Sequence, residues 1–259
     1  MLQVVPAAPS EAARLADVLR EVVDVCGTLR VRIIESGQDG PTARQGWLPV
    51  SELPSRIEDL IAGEVTRITE EHGAVPRSHV AASRLLHHYL WSACLLFTGP
   101  WYLTGRIPAI DPSQLWISPA TGDLTLRPGC SAPGDEDGLR AAVAAHVTPV
   151  LEAFRPHVKR GDRALWGMVT DDLVSGIWYL GRMLGQEEHA ARTAAAVLPG
   201  STAPFPGGAD FRRLPGTEGR THLTRTRLGC CLYYAVSPPT ACVTCPRTPD
   251  AERVPRLEA

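Results

Sequence analysis

Four cysteines close to the C-terminus, Cys230, Cys231, Cys242 and Cys245, constrain this chain more than any other feature, and they follow the pattern C-C-x10-C-x2-C. Thiolates gathered this tightly form a metal-binding device, because the thiolate is the ligand form and soft metals prefer it. Structural zinc sites pair their cysteines two to four residues apart, so that one turn aims both sulfurs at one ion. Cys230 and Cys231 are adjacent instead, and neighbouring side chains on extended backbone point to opposite sides. A vicinal pair suits a target with two metal centres to share, such as a [2Fe-2S] cluster on four thiolates.

The run Arg225-Thr226-Arg227-Leu228-Gly229-Cys230-Cys231-Leu232-Tyr233-Tyr234, followed by Cys242-Val243-Thr244-Cys245-Pro246, resembles the C-terminal signature of FhuF-like ferric-siderophore reductases. The likeness covers residues 220–247; elsewhere it is one of layout, a mainly helical body with a Trp-containing helix near residues 165–184. The resemblance implies a cytoplasmic [2Fe-2S] oxidoreductase that reduces siderophore-bound Fe(III) so that iron leaves as Fe(II), with a hydroxamate-type siderophore as the expected substrate. Two other classes fit the same cysteines. One is a non-catalytic zinc or iron-sensing binding protein, and the other is an electron carrier for another oxidoreductase.

Oxygen-donor chelators hold Fe(III) more tightly than Fe(II), so one electron loosens the metal. A four-thiolate [2Fe-2S] cluster is a dianion when oxidised and a trianion when reduced, so nearby cations and N–H donors to sulfur favour reduction. Arg225, Arg227 and Arg247 flank the ligands and are candidates to tune the cluster or to face an anionic partner. Tyr233 and Tyr234 are candidates to contact the chelate, or else to pack the cysteine segment on the body. The chain has no P-loop, no GxGxxG after a strand, no HExxH and no GxSxG. Electrons are therefore expected from a separate donor, ferredoxin-like by expectation.

The net charge of -2 gives no basic field for nucleic acid. Of 26 basic residues only Lys159 is a lysine, which supplies planar, permanently charged donors for anions. Met1 to Pro6 lacks the basic start and apolar core of a signal peptide. The longest apolar stretch, Tyr89 to Phe97, includes Ser92 and is too short to span a bilayer. A cytoplasmic location without a transmembrane segment is the expectation, and there clustered cysteines read as metal ligands rather than disulfides.

Periodicity predicts a helix capped by Ser10 and ending at Gly27, then a strand from Leu29 to Ile34. Ser55-x-x-Glu58 reads as a capping box opening a helix to Gly73, and a core helix spans Ser78 to Phe97. Leu115–Ile117 and Leu124–Leu126 read as an antiparallel hairpin. Helices follow from Asp135, bent or ended near Pro149, from a cap at Asp162 to Leu184, and from Gln186 to Val197. Pro199 to Gly219 reads as an irregular loop. The expectation is an α+β fold: a predominantly helical body, residues 1–219, with a small antiparallel sheet and a cysteine-rich segment, residues 220–259, packed on it.

Cys26, Cys94, Trp166 and Trp178 read as core residues and Cys130 as an exposed thiol. His87 and His88 are adjacent on the central helix, so at most one joins its buried stripe, and both are read as structural; His222 is read likewise because four cysteines already suffice for a cluster. Gly229 is expected to let the backbone turn tightly before the paired cysteines.

Overall fold

The computed structural model of the protein describes residues 9–35, 37–237 and 242–258. Helix α1 (Glu11–Val25) is capped as expected: Ser10 Oγ accepts from Ala13 N at 3.1 Å, and Leu15, Leu19 and Val22 are buried. Strand β1 (Val31–Ile33) follows, then β2 (Leu48–Pro49). A 3-10 turn over Val50–Arg56 runs into helix α2 (Ile57–His72), which stops at Gly73 with φ 71°. The capping box expected at Ser55 and Glu58 does not form. Val50 and Leu53 are buried and pin the preceding turn, so Ser55 is already inside helical backbone and its Oγ donates to Glu52 O at 2.8 Å.

Helix α3 (Ser78–Thr104) is the axis of the molecule and packs on α1 and α2. It continues two turns past Phe97, through Gly99 and Pro100, where the sequence suggested a stop. Gly99 is the reason the run can continue, since a Cβ there would lie 2.6 Å from Val22 Cγ2 of α1. Thr104 Oγ bonds Pro100 O at 2.7 Å, and the helix ends at Gly105, φ 67°.

Strands β3 (Arg106–Pro108) and β6 (Ser131–Pro133) form one antiparallel pair. Between them, β4 (Leu115–Ile117) and β5 (Leu124–Leu126) form the expected hairpin, with Trp116 opposite Thr125. β1 adds to β5 in parallel and β2 to β4, giving the order β1-β5-β4-β2. Alternating residues of this sheet and the inner faces of the helices share one apolar core.

Asp135 caps helix α4 (Glu136–Val158), accepting from Gly138 N at 2.9 Å. The helix does not end near Pro149 but runs through it. Helix α5 (Asp162–Met183) starts one residue earlier than predicted, with Gly161 rather than Asp162 at the cap. It is buried along most of its length, as a central helix between two layers must be. Helix α6 (Glu187–Val197) lies against it so closely that a methyl on Gly181 would overlap Ala190 Cβ. Trp178 is buried with its ring edge-on to Phe211, and Trp166 is half-buried and edge-on to Phe205, so both serve as packing residues.

The segment after α6 is only partly irregular. Phe205 is buried as an anchor, and residues Arg212–Pro215 form β7, paired antiparallel with β8 (Thr221–Thr224). Four residues with two arginines and a proline carry no strand pattern of their own, and the partner strand supplies it. This ladder joins residues on both sides of position 219. Helix α7 (Asp250–Glu258), not expected from the sequence pattern, closes the fold. No helix among the described residues is long and apolar enough to cross a membrane.

Two tests follow from this packing. Gly181→Ala is expected to destabilise the protein by about 1–3 kcal/mol, since overpacking outweighs the gain in helix propensity, as denaturant unfolding would measure. Buried His146 accepts from Tyr89 OH at 2.8 Å, and burial lowers its pKa to about 4. A depressed histidine binds fewer protons folded than unfolded, so stability should fall as pH drops from about 6.5 to 4, by up to about 3 kcal/mol. His146→Phe should flatten that part of the pH–stability curve.

Candidate metal centre

Two adjacent carboxylates in the middle of α5, Asp171 and Asp172, are fully buried and organise everything around the cysteines. Asp171 Oδ1 accepts from Arg225 Nη2 at 2.8 Å and from Leu228 N at 2.9 Å, and Oδ2 accepts from Gly229 N at 2.6 Å. One carboxylate thus holds both an arginine and the two backbone amides just before Cys230. Asp172 Oδ1 accepts from Arg227 Nη2 at 2.9 Å, and Oδ2 accepts from His87 Nδ1 at 2.9 Å. With Nδ1 donating to the carboxylate, His87 Nε2 is left to accept from Arg227 Nη1 at 3.3 Å. Burial lowers the His87 pKa, opposed by Asp172 and reinforced by Arg227, so the ring is a neutral spacer between two buried ions. Burial pushes Asp171 upward, while Arg227, Arg225 and the Gly229 and Leu228 amides pull it back.

This lattice sets the path of residues 225–231. Arg225, fully buried, also donates to Ala209 O at 2.9 Å. Gly229 is needed for close approach rather than for a special turn, since its φ is not left-handed. A Cβ there would sit 2.9 Å from Met168 Cγ and 3.1 Å from Met168 N. The left-handed residue is Leu232, φ 64°, whose N lies 3.4 Å from Cys230 Sγ as a donor. A branched residue in that conformation costs roughly 1–2 kcal/mol, so the turn is held by its surroundings.

The second cysteine pair is tied to the first through backbone. Arg227 N donates to Thr244 O at 2.9 Å, and Cys245 N donates to Cys242 O at 3.0 Å. Arg253 of α7 is buried and donates to Arg225 O at 2.8 Å, Thr248 O at 2.8 Å and Cys245 O at 3.1 Å. Arg212 forks onto Asp250 with two bonds of 2.6 Å, which fixes α7 to β7. The described residues between Leu228 and Cys245 are therefore clamped at both ends.

All four thiols are free, Cys231 and Cys245 buried and Cys230 and Cys242 half-buried. Burial raises the Cys242 thiol to about 11; Arg227 opposes this, Cys231 and Cys245 add to it, and Thr244 opposes it again. Burial likewise raises Cys230; the Leu232 amide and Arg160 oppose this, and Cys245 and Cys231 reinforce it. Each pair thus feels the charge of the other, although twelve positions separate Cys230 from Cys242. Sulfur also has cationic company, for Arg84 Nη1 of α3 donates to Cys231 Sγ at 3.4 Å.

Among the described residues, no group of three or more His, Cys, Asp or Glu is arranged to hold a metal ion. The chemistry of the donor set nevertheless fits a thiolate-bound cluster: four unbridged thiols, N–H donors to sulfur, and guanidinium groups to offset negative charge. Binding a metal would displace the thiol protons that burial now retains.

The sequence candidates fall into two groups. Arg225 and Arg227 are buried ion partners of α5, turned away from solvent. Tyr233 and Tyr234 are half-buried in a 3-10 turn, capped by the guanidiniums of Arg84 at 4.4 Å and Arg247 at 4.2 Å from their ring centres. His222 lies 3.2 Å from Glu258, on the hairpin side of α7. Cys26 and Cys94 are core residues and Cys130 is exposed. Arg84, Arg160, Arg253, Asp171 and Asp172 were not anticipated. A carboxylate pair inside an otherwise apolar helix was the one available signal; the arginines lie too far away in sequence to be associated with the cysteines. No family model matches the chain, and no curated protein matches it.

Asp171→Ala leaves buried Arg225 without its carboxylate partner and removes the acceptor of the Leu228 and Gly229 amides. It is expected to cost about 3–5 kcal/mol in denaturant unfolding. Asp171→Asn, which keeps an acceptor oxygen, should cost less.

Proposed function

We propose that this chain is a cytoplasmic ferric-siderophore reductase. Cys230, Cys231, Cys242 and Cys245 would hold a [2Fe-2S] cluster, and a separate ferredoxin-like donor would supply the electron that converts chelated Fe(III) to Fe(II). The observation that carries this reading is that two cysteine pairs, spaced as in the family the chain resembles, lie on a segment clamped from both sides and tied together by the Arg227 N to Thr244 O bond. When bound, the cluster would supply a one-electron couple suited to the one-electron change at chelated iron.

The chain's own residues have defined tasks in this reading. Asp171 holds the backbone before Cys230 in place, Asp172 holds the Arg227 side chain, and Arg253 holds the carbonyl of Cys245. Arg84, donating to Cys231 Sγ, stabilises added negative charge there and so favours the reduced state. Leu232 N does the same at Cys230. Released ligand oxygens could be protonated by water, so no acid–base residue is required at the iron.

Anaerobically purified protein should be red-brown, with inorganic sulfide and iron in equal amounts and a paramagnetic signal after reduction. Reduced protein mixed with a ferric siderophore should yield trapped Fe(II). Cys230→Ser or Cys245→Ser should lose the visible absorption and the turnover, while Cys26→Ala should keep both. A colourless, zinc-containing protein would identify a binding protein instead. A cluster that cycles without releasing Fe(II) would identify an electron carrier.

A further inference from the structure

Arginines near the cysteines are of two kinds. Arg225, Arg227, Arg212 and Arg253 each have a carboxylate partner. Arg84, Arg160 and Arg247 have none among the described residues, and each rests on the cysteine segment. Arg84 bonds Cys231 Sγ and, at 2.7 Å, His88 Nε2, and covers Tyr233. Arg160 donates to the carbonyl of Cys230. Arg247 covers Tyr234. Arg84, Arg160 and both tyrosines are half-buried, and Arg247 is exposed, so this positive group reaches solvent.

Three guanidiniums exceed what an oxidised dianionic cluster would balance, and the Asp171–Asp172 pair is already used by Arg225 and Arg227. His88, an exposed residue of the same helix, adds a polar ring whose Nε2 pairs with Arg84 at 2.7 Å. An uncharged chelate placed here would desolvate guanidiniums without an ionic return. A polyanion would instead gain several charge-assisted hydrogen bonds, and its planar rings could stack beside the two arginine–tyrosine pairs.

We propose that Arg84, Arg160 and Arg247, with Tyr233 and Tyr234, seat a polyanionic ferric chelate whose iron is held by catecholate or carboxylate oxygens. This rests on the reductase reading and narrows its substrate, away from the uncharged hydroxamate chelates that the family resemblance suggests.

Gallium(III) chelates test the seat without electron transfer, because gallium is not reduced. The anaerobically purified full chain is titrated calorimetrically with trianionic gallium tris-catecholate and with uncharged gallium tris-hydroxamate. The trianion should bind more tightly, and less so as salt rises. Arg247→Glu, whose side chain touches no cysteine, should shrink that preference by about tenfold, and Arg84→Gln should shrink it in the same direction. Circular dichroism confirms that both variants are folded. Equal affinity for the two chelates, no binding of either, or an unchanged preference in folded Arg247→Glu protein would overturn the seat. Selective gallium binding without reduction of the iron chelate would sink the reductase reading and leave the seat standing. Normal iron reduction with charge-blind gallium binding would sink the seat alone.

Discussion

The cysteine segment depends on a buried exchange between α5 and the strand leading to Cys230: Asp171 with Arg225 and two amides, Asp172 with Arg227 and His87. Buried ion pairs of this kind add little net stability, because desolvation offsets most of the attraction. Their effect is on register. A slip of one residue would place a carboxylate against an apolar side chain and leave an arginine uncompensated, and several kcal/mol separate that arrangement from the native one. A short, irregular segment with little apolar surface could not be fixed so tightly by packing alone.

The same exchange requires an enclosed helix. Two charges can be buried mid-helix only if the helix around them is enclosed on all sides, and α5 meets this condition against α3, α4 and α6. Gly167, Gly176 and Gly181 recur on α5 where neighbours come close, Gly167 beneath Leu228 and Gly181 beneath Ala190. Close approach of backbone lets short aspartates reach amides on another element.

Much of the fold was legible in the sequence, where local rules decide the outcome. Ser10 caps α1 as read, α4 starts beside Asp135, Gly73 ends α2, and β4 and β5 pair antiparallel as a hairpin. Misreadings arose where tertiary contacts override local signals. Pro100 and Pro149 lie inside helices because packing on both sides holds the backbone, and Ser55 lost its capping role to a turn anchored by Val50 and Leu53. The cysteines were visible as a pattern, but their environment was not. Arg84 lies 147 positions from Cys231, and no spacing rule connects two residues across that distance. Arg225 and Arg227 are read as candidates to tune a cluster or face an anionic partner because the acidic residues that bury them belong to another helix.

Arg84 also has a consequence for how the protein responds to change. It belongs to the longest of the described helices, yet its head group touches a sulfur and a tyrosine of the outermost segment as well as a histidine of its own helix. A small rotation of that helix, caused by repacking far inside the body, would carry the guanidinium away from the sulfur. The electronic setting of the thiols is thereby geared to the deep interior, and substitutions that never approach the tail can retune it.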